Sequence, residues 1–178
     1  MKRVIFLALV FSTMFCSCSV LEVQNYNQVF QEKGRPPTII DHYAPQVISP
    51  GTAWKIYLRA EDEDGDMQYI ATTLYQEGFG SYSTDYTRLA GTEQKQFAGY
   101  LLLKTPLDAN LTLDEFTMEV LIRDSQQNRS QIVKLPLTFD HKKEQSLPPE
   151  WQEFRENQLG VLVTNIQSMK KIMERSGS

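Results

Sequence analysis

Hydrophobic and polar residues alternate along several short segments between Pro37 and Asp140. In the segment 54–60, Trp, Ile, Leu and Ala alternate with Lys, Tyr and Arg, and in 116–122 Phe, Met, Val and Ile lie at every second position. A period of two puts successive side chains on opposite faces of a β-strand, so that one face is buried and the other meets solvent. The pattern therefore predicts half-buried strands in this part of the chain.

Turn-forming residues separate these segments, as in Ser-Pro-Gly at 49–51 and Asp-Gly at 64–65. Pro136 removes a ladder donor from the last segment, so that strand should lie at an edge or carry a bulge. Seven strands in about 100 residues predict an all-β fold, a seven-stranded immunoglobulin-like antiparallel sandwich. The predicted strands are 38–48 in two pieces around Pro45, 54–60, 67–76, 81–89, 96–104, 115–124 and 131–139.

Two motifs carry a family resemblance. The segment 60–67, Ala-Glu-Asp-Glu-Asp-Gly-Asp-Met, resembles the A-x-D-x-D-G turn of cadherin-like and bacterial immunoglobulin-like modules. The segment 122–130 resembles the end of their penultimate strand, with Gln126 and Gln127 where a Gly often lies. The resemblance covers 37–140 and implies the sandwich fold and a scaffold role, without implying a particular partner.

The chain begins with a different pattern, Met-Lys-Arg at 1–3, a nearly continuous apolar run at 4–15 and Cys-Ser-Cys at 16–18. The run of about twelve residues is too short to span a bilayer core, which needs about 20. A basic start followed by a short apolar run and a small residue predicts a cleaved secretion signal. The segment resembles a bacterial lipoprotein signal peptide, which implies removal of residues 1–17 and lipidation of Cys18. The alternative is nearby cleavage without lipid, which would give a soluble product.

Cysteine usage and charge restrict the location and the partner. Cys16 and Cys18 are the two cysteines of the chain, so the mature protein has no disulfide despite an oxidising compartment. Ser19 and Val20 differ from the Asp that retains enterobacterial lipoproteins in the inner membrane, so the resemblance implies the outer membrane. Loss of 1–17 leaves 16 basic and 22 acidic residues, a net charge of −6. This acidic balance argues against nucleic acid as a partner, because phosphate binding needs a basic patch.

Residues 18–36 are mostly polar and end in Gly-Arg-Pro, which predicts a tether that holds the domain away from the lipid surface. In the alternative, Leu21, Val23 and Val29 pack on the domain as a short strand or helix.

The acidic turn suggests a calcium site. Asp62, Asp64 and Asp66 alternate along the turn between the second and third strands. Ca²⁺ prefers six to eight oxygen ligands, and the loop after the sixth strand should emerge at the same end with Asp124 and Asn128. In the cadherin family, such carboxylates bind Ca²⁺ at domain junctions. The alternative is a solvated turn in which Asp64 and Gly65 supply the required backbone angles.

An aromatic stretch, Tyr75, Phe79, Tyr82 and Tyr86, surrounds a bend rich in Gly and Ser. Aromatic side chains beside small polar residues are able to stack on sugars or to anchor a protein interface. The alternative is that these rings cover the sandwich edge, half buried.

The segment 148–175 predicts an amphipathic C-terminal helix. Proline suits the first helical turn, and the cations Lys170, Lys171 and Arg175 suit the last turns. Apolar residues recur at intervals of three and four, which is typical of a heptad seam. The seam consists of Leu159, Leu162, Ile166, Met169 and Met173. It should dock on the protein's own sandwich through Trp151 and Phe154, or else on a partner or a second copy.

The sequence indicates no enzyme. His42 and His141 are its two histidines, and no HExxH, GxSxG or phosphate-binding Gly loop is present. The leading hypothesis is therefore a membrane-anchored lipoprotein that acts as a non-catalytic scaffold for another envelope protein. The alternative is a module that binds a glycan or peptidoglycan through the aromatic stretch, with or without calcium.

Overall fold

A computed structural model describes residues 34–141 and 146–176. The predicted signal peptide, Cys18 and the tether up to residue 33 lie outside the described residues, and they stay predictions. The described part of the predicted tether is attached to the domain. The backbone N–H of Arg35 donates to Oδ2 of Asp64 at 2.6 Å, and the Arg35 guanidinium pairs with Glu63.

The described residues form two β-sheets. Sheet A has the strand order β1-β3-β7-β10, and sheet B has the order β2-β9-β8-β4-β5, with β6 also pairing with β4. The strands of sheet A are β1 (Thr38–Tyr43), β3 (Trp54–Glu61), β7 (Gln96–Leu103) and β10 (Gln158–Leu162). The strands of sheet B are β2 (Val47–Ile48), β4 (Met67–Gln76), β5 (Gly80–Ser81), β6 (Asp85–Arg88), β8 (Glu115–Asp124) and β9 (Val133–Phe139).

Short helical elements connect the strands. Three are 3-10 turns, at Gly91–Gln94, Ala109–Leu113 and Pro149–Phe154, and the α-helix of the described residues is α1 (Met169–Ser176). This arrangement confirms the predicted immunoglobulin-like sandwich with a C-terminal helix, although that helix is much shorter than expected.

The core lies between the sheets, as the alternation predicts. In β3, Trp54, Ile56 and Leu58 are fully buried, and in β8 the inward side chains Met118 and Val120 are as well. Burying one such side chain stabilises the fold by about 1.5–3 kcal/mol.

Two proline-containing segments behave differently from each other. Pro45 divides the first predicted strand so that β1 joins sheet A while β2 crosses to sheet B, and Pro45 O accepts from Nε1 of Trp54 at 2.7 Å. Within sheet B, the short strand β2 pairs with residues Thr138 and Phe139 of β9 and does not extend to Pro136. At Pro136, no strand of the described part of the chain pairs with β9 on that side, which agrees with the predicted edge position.

The predicted helix over 148–175 is wrong for most of its length. Pro149–Phe154 form a 3-10 turn, Gln158–Leu162 form β10, and α1 begins only at Met169. Gly160 disfavours a helix, and the β-branched residues Val161 and Val163 favour a strand where β7 offers an open edge. The strand β10 pairs with β7 in parallel.

The C-terminal extension, defined here as residues 146–176, first covers the outer face of sheet A. The Trp151 ring lies 5.7 Å from the ring of Tyr57, and both side chains are buried together with Tyr100. The Arg59 guanidinium lies over Trp151 at 5.5 Å and over Phe154 at 5.3 Å from the ring centroids. The outer face of sheet A is therefore occupied by the protein's own chain.

Candidate binding surfaces

No element within 34–141 and 146–176 covers the outer face of sheet B across its central strands. Ile70 and Leu74 of β4 point into the core with no exposed surface, so Tyr69 and Tyr75 point outward. Directly paired residues on neighbouring strands share a face, and this rule fixes the other outward positions. They are Tyr69, Ala71, Thr73 and Tyr75 on β4, Tyr86 and Arg88 on β6, Glu115, Thr117, Glu119, Leu121 and Arg123 on β8, and Lys134, Pro136 and Thr138 on β9.

The four predicted aromatic residues lie on two different surfaces. Tyr75 and Tyr86 lie on the outer face of sheet B, 40% and 60% exposed, and the Tyr86 ring meets Tyr69 edge-on at 6.2 Å. Phe79 and Tyr82 instead lie at the end of the sandwich, with ring centroids 5.2 Å apart. The aromatic stretch therefore does not form one binding surface.

Tyr82 fastens the C-terminal extension to the sandwich. Its hydroxyl donates to Oε1 of Gln76 at 2.6 Å and accepts from the backbone N–H of Gln167 at 3.2 Å. Burial raises the pKa of the Tyr82 phenol. A small apolar groove of about 330 Å³ borders it, lined by Phe79, Tyr82, Gln167, Ile172, Arg175 and Ser176.

Three aspartates accept hydrogen bonds from the same extension. Oδ2 of Asp85 accepts from the N–H groups of Val163 and Thr164 at 3.1 and 3.0 Å. The Ser168 hydroxyl donates to Asp108 at 2.7 Å, and this hydrogen bond lowers the pKa of Asp108. Burial raises the pKa of Asp114. The hydrogen bond that its carboxylate accepts from the N–H of Met169 acts in the opposite direction and lowers this pKa.

The residues of the predicted heptad seam do not form a shared surface. Leu162 and Ile166 are buried in the core between the sheets, and Leu159 packs against that core. Met169 is half-buried at the start of α1, and Met173 is 62% exposed. Of the two alternatives, docking on the protein's own sandwich is the one observed, because β10 and the following loop supply side chains that close the core.

The predicted acidic residues do meet at one end of the sandwich. The N–H of Ser125 donates to the carbonyl of Asp66 at 3.0 Å, which joins the β3–β4 turn to the β8–β9 turn. In the latter, Asp124 accepts from the backbone N–H and the side-chain amide of Asn128, both at 2.8 Å. Gln127 has φ of 73°, the left-handed conformation for which the resemblance expects Gly.

The carboxylates at this end do not surround a common centre. Asp62 accepts from the N–H of Asp66, Asp64 from Arg35 and Asp66 from the Ser125 hydroxyl. Within 34–141 and 146–176, no group of three or more His, Cys, Asp or Glu side chains is arranged to hold a metal ion. The predicted five-residue calcium site therefore stays a prediction.

Asp62 carries an unusual carboxyl group. It is 3% exposed, and its Oδ1, like Oδ1 of Asp66, is buried without a hydrogen-bond partner among the described residues. Burial raises the pKa of Asp62, and the neighbouring carboxylates of Asp66 and Asp64 raise it further, against the lowering effect of the Asp66 N–H.

The pairing register shows a row of cations that the sequence pattern did not single out. Arg88 and Arg123 both lie opposite Tyr69, on its two sides, and Arg129 lies opposite Arg123 through an isolated bridge. Arg123 and Arg129 meet across the turn that follows β8, whereas Arg88 is distant along the chain and only the strand order brings it near them. They lie toward the acidic end of the outer face of sheet B.

Neither described histidine is buried, since His42 and His141 are both exposed. Among the residues that the structure describes, no helix is long and apolar enough to cross a membrane.

Comparison with known proteins adds little to the fold. No protein-family model matches the sequence, and no curated protein is significantly similar to it. One similar solved structure is the PKD domain of an M14-like peptidase from a Thermoplasmatales archaeon, with 14% identity, a TM-score of 0.41, and coverage of 60% of this chain and 98% of that one. Another is a CARDB domain from Pyrococcus furiosus in complex with di-metal ions, with 8% identity, a TM-score of 0.31, and coverage of 58% and 90%. A third is the SrpA adhesin of Streptococcus sanguinis, with 17% identity, a TM-score of 0.41, and coverage of 66% and 63%.

Proposed function

We propose that this protein is a lipid-anchored, non-catalytic binding module of the bacterial cell envelope that contacts another envelope component through the outer face of sheet B. The observation that carries the proposal is the difference between the two sheet faces. Trp151 and Phe154 cover the outer face of sheet A, whereas the outer face of sheet B keeps Tyr75 and Tyr86 exposed. Exposed aromatic side chains of this kind are enriched in recognition surfaces.

The sequence supports the location in this proposal. The signal and Cys18 predict a lipid anchor, and the residues after Cys18 favour the outer membrane over the inner one. In this arrangement the domain faces the periplasm and acts as a scaffold for its partner.

The geometry of the domain suits lateral contact. Gly34 lies beside Asp64 at one end of the sandwich, and Met169 lies beside Gly78 and Asp114 at the other end. The ten residues of β4 run between these ends, a length of about 33 Å. The outer face of sheet B runs along this axis, so a partner would approach from the side of a domain tethered at its end.

Two classes of partner fit a scaffold of this kind, a second envelope protein and a glycan. Burial of Leu162 and Ile166 in the core removes the seam on which a helix-mediated protein contact depended. A protein partner would therefore have to use the sheet face instead.

Site-specific photo-crosslinking in living cells tests which face makes contact. A benzophenone amino acid at position 86 keeps an aromatic ring on the outer face of sheet B, and the matched position 163 lies on the C-terminal extension, 84% exposed. We expect adducts with an envelope component from position 86 and none from position 163. Adducts from position 163 alone would assign contact to the extension and overturn the proposal.

A further inference from the structure

The three arginines on the outer face of sheet B lack counter-ions among the described residues. Arg88, Arg123 and Arg129 take part in none of the ion pairs that join the described side chains. Of the outward acids on β8, Glu119 is paired with Lys134 at 2.8 Å, and Glu115 lies at the far end of the strand. The arginine row, defined as Arg88, Arg123 and Arg129 around Tyr69, is therefore a group of three cations that no described side chain neutralises in an ion pair.

This arrangement is costly unless an anion occupies it. Arg123 and Arg129 are directly opposite one another, and like charges in that relation destabilise a sheet. In addition, Nε of Arg123 is buried without a hydrogen-bond partner among the described residues. A guanidinium that is partly removed from water attracts an anion more strongly than an exposed one, because the attraction is less screened.

The spacing of the row suits repeated carboxylates. Neighbouring strands lie about 4.8 Å apart, so the row from Arg88 to Arg129 crosses three spacings, or about 14 Å. The planar guanidinium binds carboxylate with two parallel hydrogen bonds. A chain of acidic residues or acidic sugars would place successive carboxylates along such a row.

The residues around the row favour a sugar over a protein segment. Tyr86 and Tyr69 form an aromatic pair beside Arg88, in which Tyr86 is exposed and Tyr69 half-buried, and the neighbouring outward positions are the small residues Ala71 and Thr73. Hot spots of protein interfaces are anchors in desolvated apolar pockets, whereas the arginine row presents charged groups beside the exposed Tyr86 ring. The exposed Tyr86 ring is able to stack on the flat face of a sugar ring, and the small side chains of Ala71 and Thr73 leave room beside it.

We propose that the arginine row binds the carboxylates of an acidic polysaccharide whose sugar rings pack on Tyr69 and Tyr86. This inference rests on the proposed function, since it names the class of partner for the same face. Binding falls with added salt, because the contacts are charge pairs at a solvent-exposed surface.

Binding of polygalacturonate to the detergent-solubilised full-length lipoprotein tests the inference. The controls are the same polymer with its carboxyl groups reduced, and polyglutamate, which has carboxylates but no sugar. We expect the reduced polymer and polyglutamate each to bind at least about tenfold more weakly than polygalacturonate. Arg88→Gln and Arg123→Gln should each weaken polygalacturonate binding by about tenfold, and Tyr86→Ala by several-fold. Arg155→Gln, which removes an equal charge from the sheet A side, should leave binding unchanged.

The outcomes separate the inference from the proposed function. Equal binding of polyglutamate, or equal binding by the Arg88 and Arg123 variants, overturns the inference. Absence of polygalacturonate binding together with a protein adduct from position 86 also overturns the inference, while the proposed function stands. Absence of both contradicts both. The melting temperatures of the arginine variants should be unchanged or slightly raised, and a marked fall would show that these arginines are structural instead.

Discussion

At the scale of single residues, the buried carboxyl of Asp62 links stability to pH. Burial and its acidic neighbours hold the pKa of Asp62 above its ordinary value of 3.8, so the folded protein retains this proton to higher pH than the unfolded chain does. A group of this kind contributes stability that is fully present below the unfolded pKa and is lost as the pH rises through the folded pKa. At neutral pH, ionised Asp62 therefore gives the fold less stability than protonated Asp62 does.

We predict that Asp62→Asn raises the melting temperature at pH 7. The amide oxygen keeps the hydrogen bond from the Asp66 N–H, and the amide nitrogen is able to donate to the unpaired Oδ1 of Asp66. The gain should be on the order of 1 kcal/mol, or about 2–4 °C for a domain of this size. Thermal unfolding from pH 3 to pH 8 measures it, and the difference from wild type should shrink toward pH 3.

The matched control is Asp64→Asn, because Asp64 is exposed and bonded to the backbone of Arg35. It should not stabilise the protein. A rise in the wild-type melting temperature with millimolar Ca²⁺ that Asp62→Asn abolishes would instead show a ligand site, because a ligand of the native state stabilises by mass action.

Residue types on the chain could predict the acidic end but not the arginine row. Asp62, Asp64 and Asp66 are adjacent in sequence, and strand alternation brings Asp124 to them, so a local motif and simple topology were sufficient. Arg88 and Arg123 become neighbours only through the order β6-β4-β8 and a register fixed by a bulge between Met67 and Tyr69. Neither the strand order nor the bulge has a local signature in the sequence.

At the scale of elements, strong alternation predicted boundaries well and mixed patterns did not. The third and sixth predicted strands, 67–76 and 115–124, match β4 and β8 at both ends. The predicted strand 81–89 shortens to β6 after a separate β5, and Asp85 at its start binds the C-terminal extension. That contact is long-range and could not be read locally.

The C-terminal extension shows how a spacing of three and four residues misleads. Leu159 and Leu162 lie in β10, Ile166 in a loop and Met169 in α1, yet all except Met173 contact the domain or lie partly buried on it. The intervals of three and four therefore mark the positions at which a strand, a loop and a short helix each place an apolar side chain on the sandwich. The β-branched residues around Gly160 were the available signal for a strand.

We predict that packing of the C-terminal extension on the sandwich requires glycine at position 160. A Cβ there would lie 2.6 Å from Cγ2 and 2.9 Å from Oγ1 of Thr87 on β6. Gly160→Ala should therefore cost about 1–3 kcal/mol of unfolding free energy. Thr87→Ala removes both clashing atoms, so the double variant should recover most of the loss in a denaturant titration.

A second glycine provides the control for that cycle. A Cβ on Gly99 would lie 2.5 Å from the backbone oxygen of Asn157, which a change at Thr87 does not move. Gly99→Ala should thus be destabilising with or without Thr87→Ala. If Gly160→Ala were neutral, β10 would not approach β6 as closely as the structure has it.

At the scale of the whole molecule, the extension changes what the protein offers to its surroundings. It closes the core with Leu162 and Ile166 and covers sheet A with Trp151. A deletion of 150–178 would therefore remove core residues and test stability rather than partner binding. Among the described residues, the face that stays uncovered is the outer face of sheet B. The partners that this face is able to reach depend on where the domain is anchored.

The last prediction concerns that attachment. If Cys18 carries the lipid, Cys18→Ser should move the protein from the membrane fraction to the soluble periplasmic fraction and abolish its labelling by radioactive palmitate. Stable membrane anchoring needs two lipid signals, and a single acyl chain binds only marginally. A protein without the modified cysteine should therefore lose nearly all of its membrane association. Cys16→Ser is the matched control, since it changes a cysteine that the predicted cleavage removes, and it should leave both readouts intact. Loss of labelling in Cys16→Ser with retention in Cys18→Ser would show that Cys16 carries the lipid and that the mature chain begins there. A Cys18→Ser protein that stays in the membrane fraction would remove the lipid anchor from the proposed function.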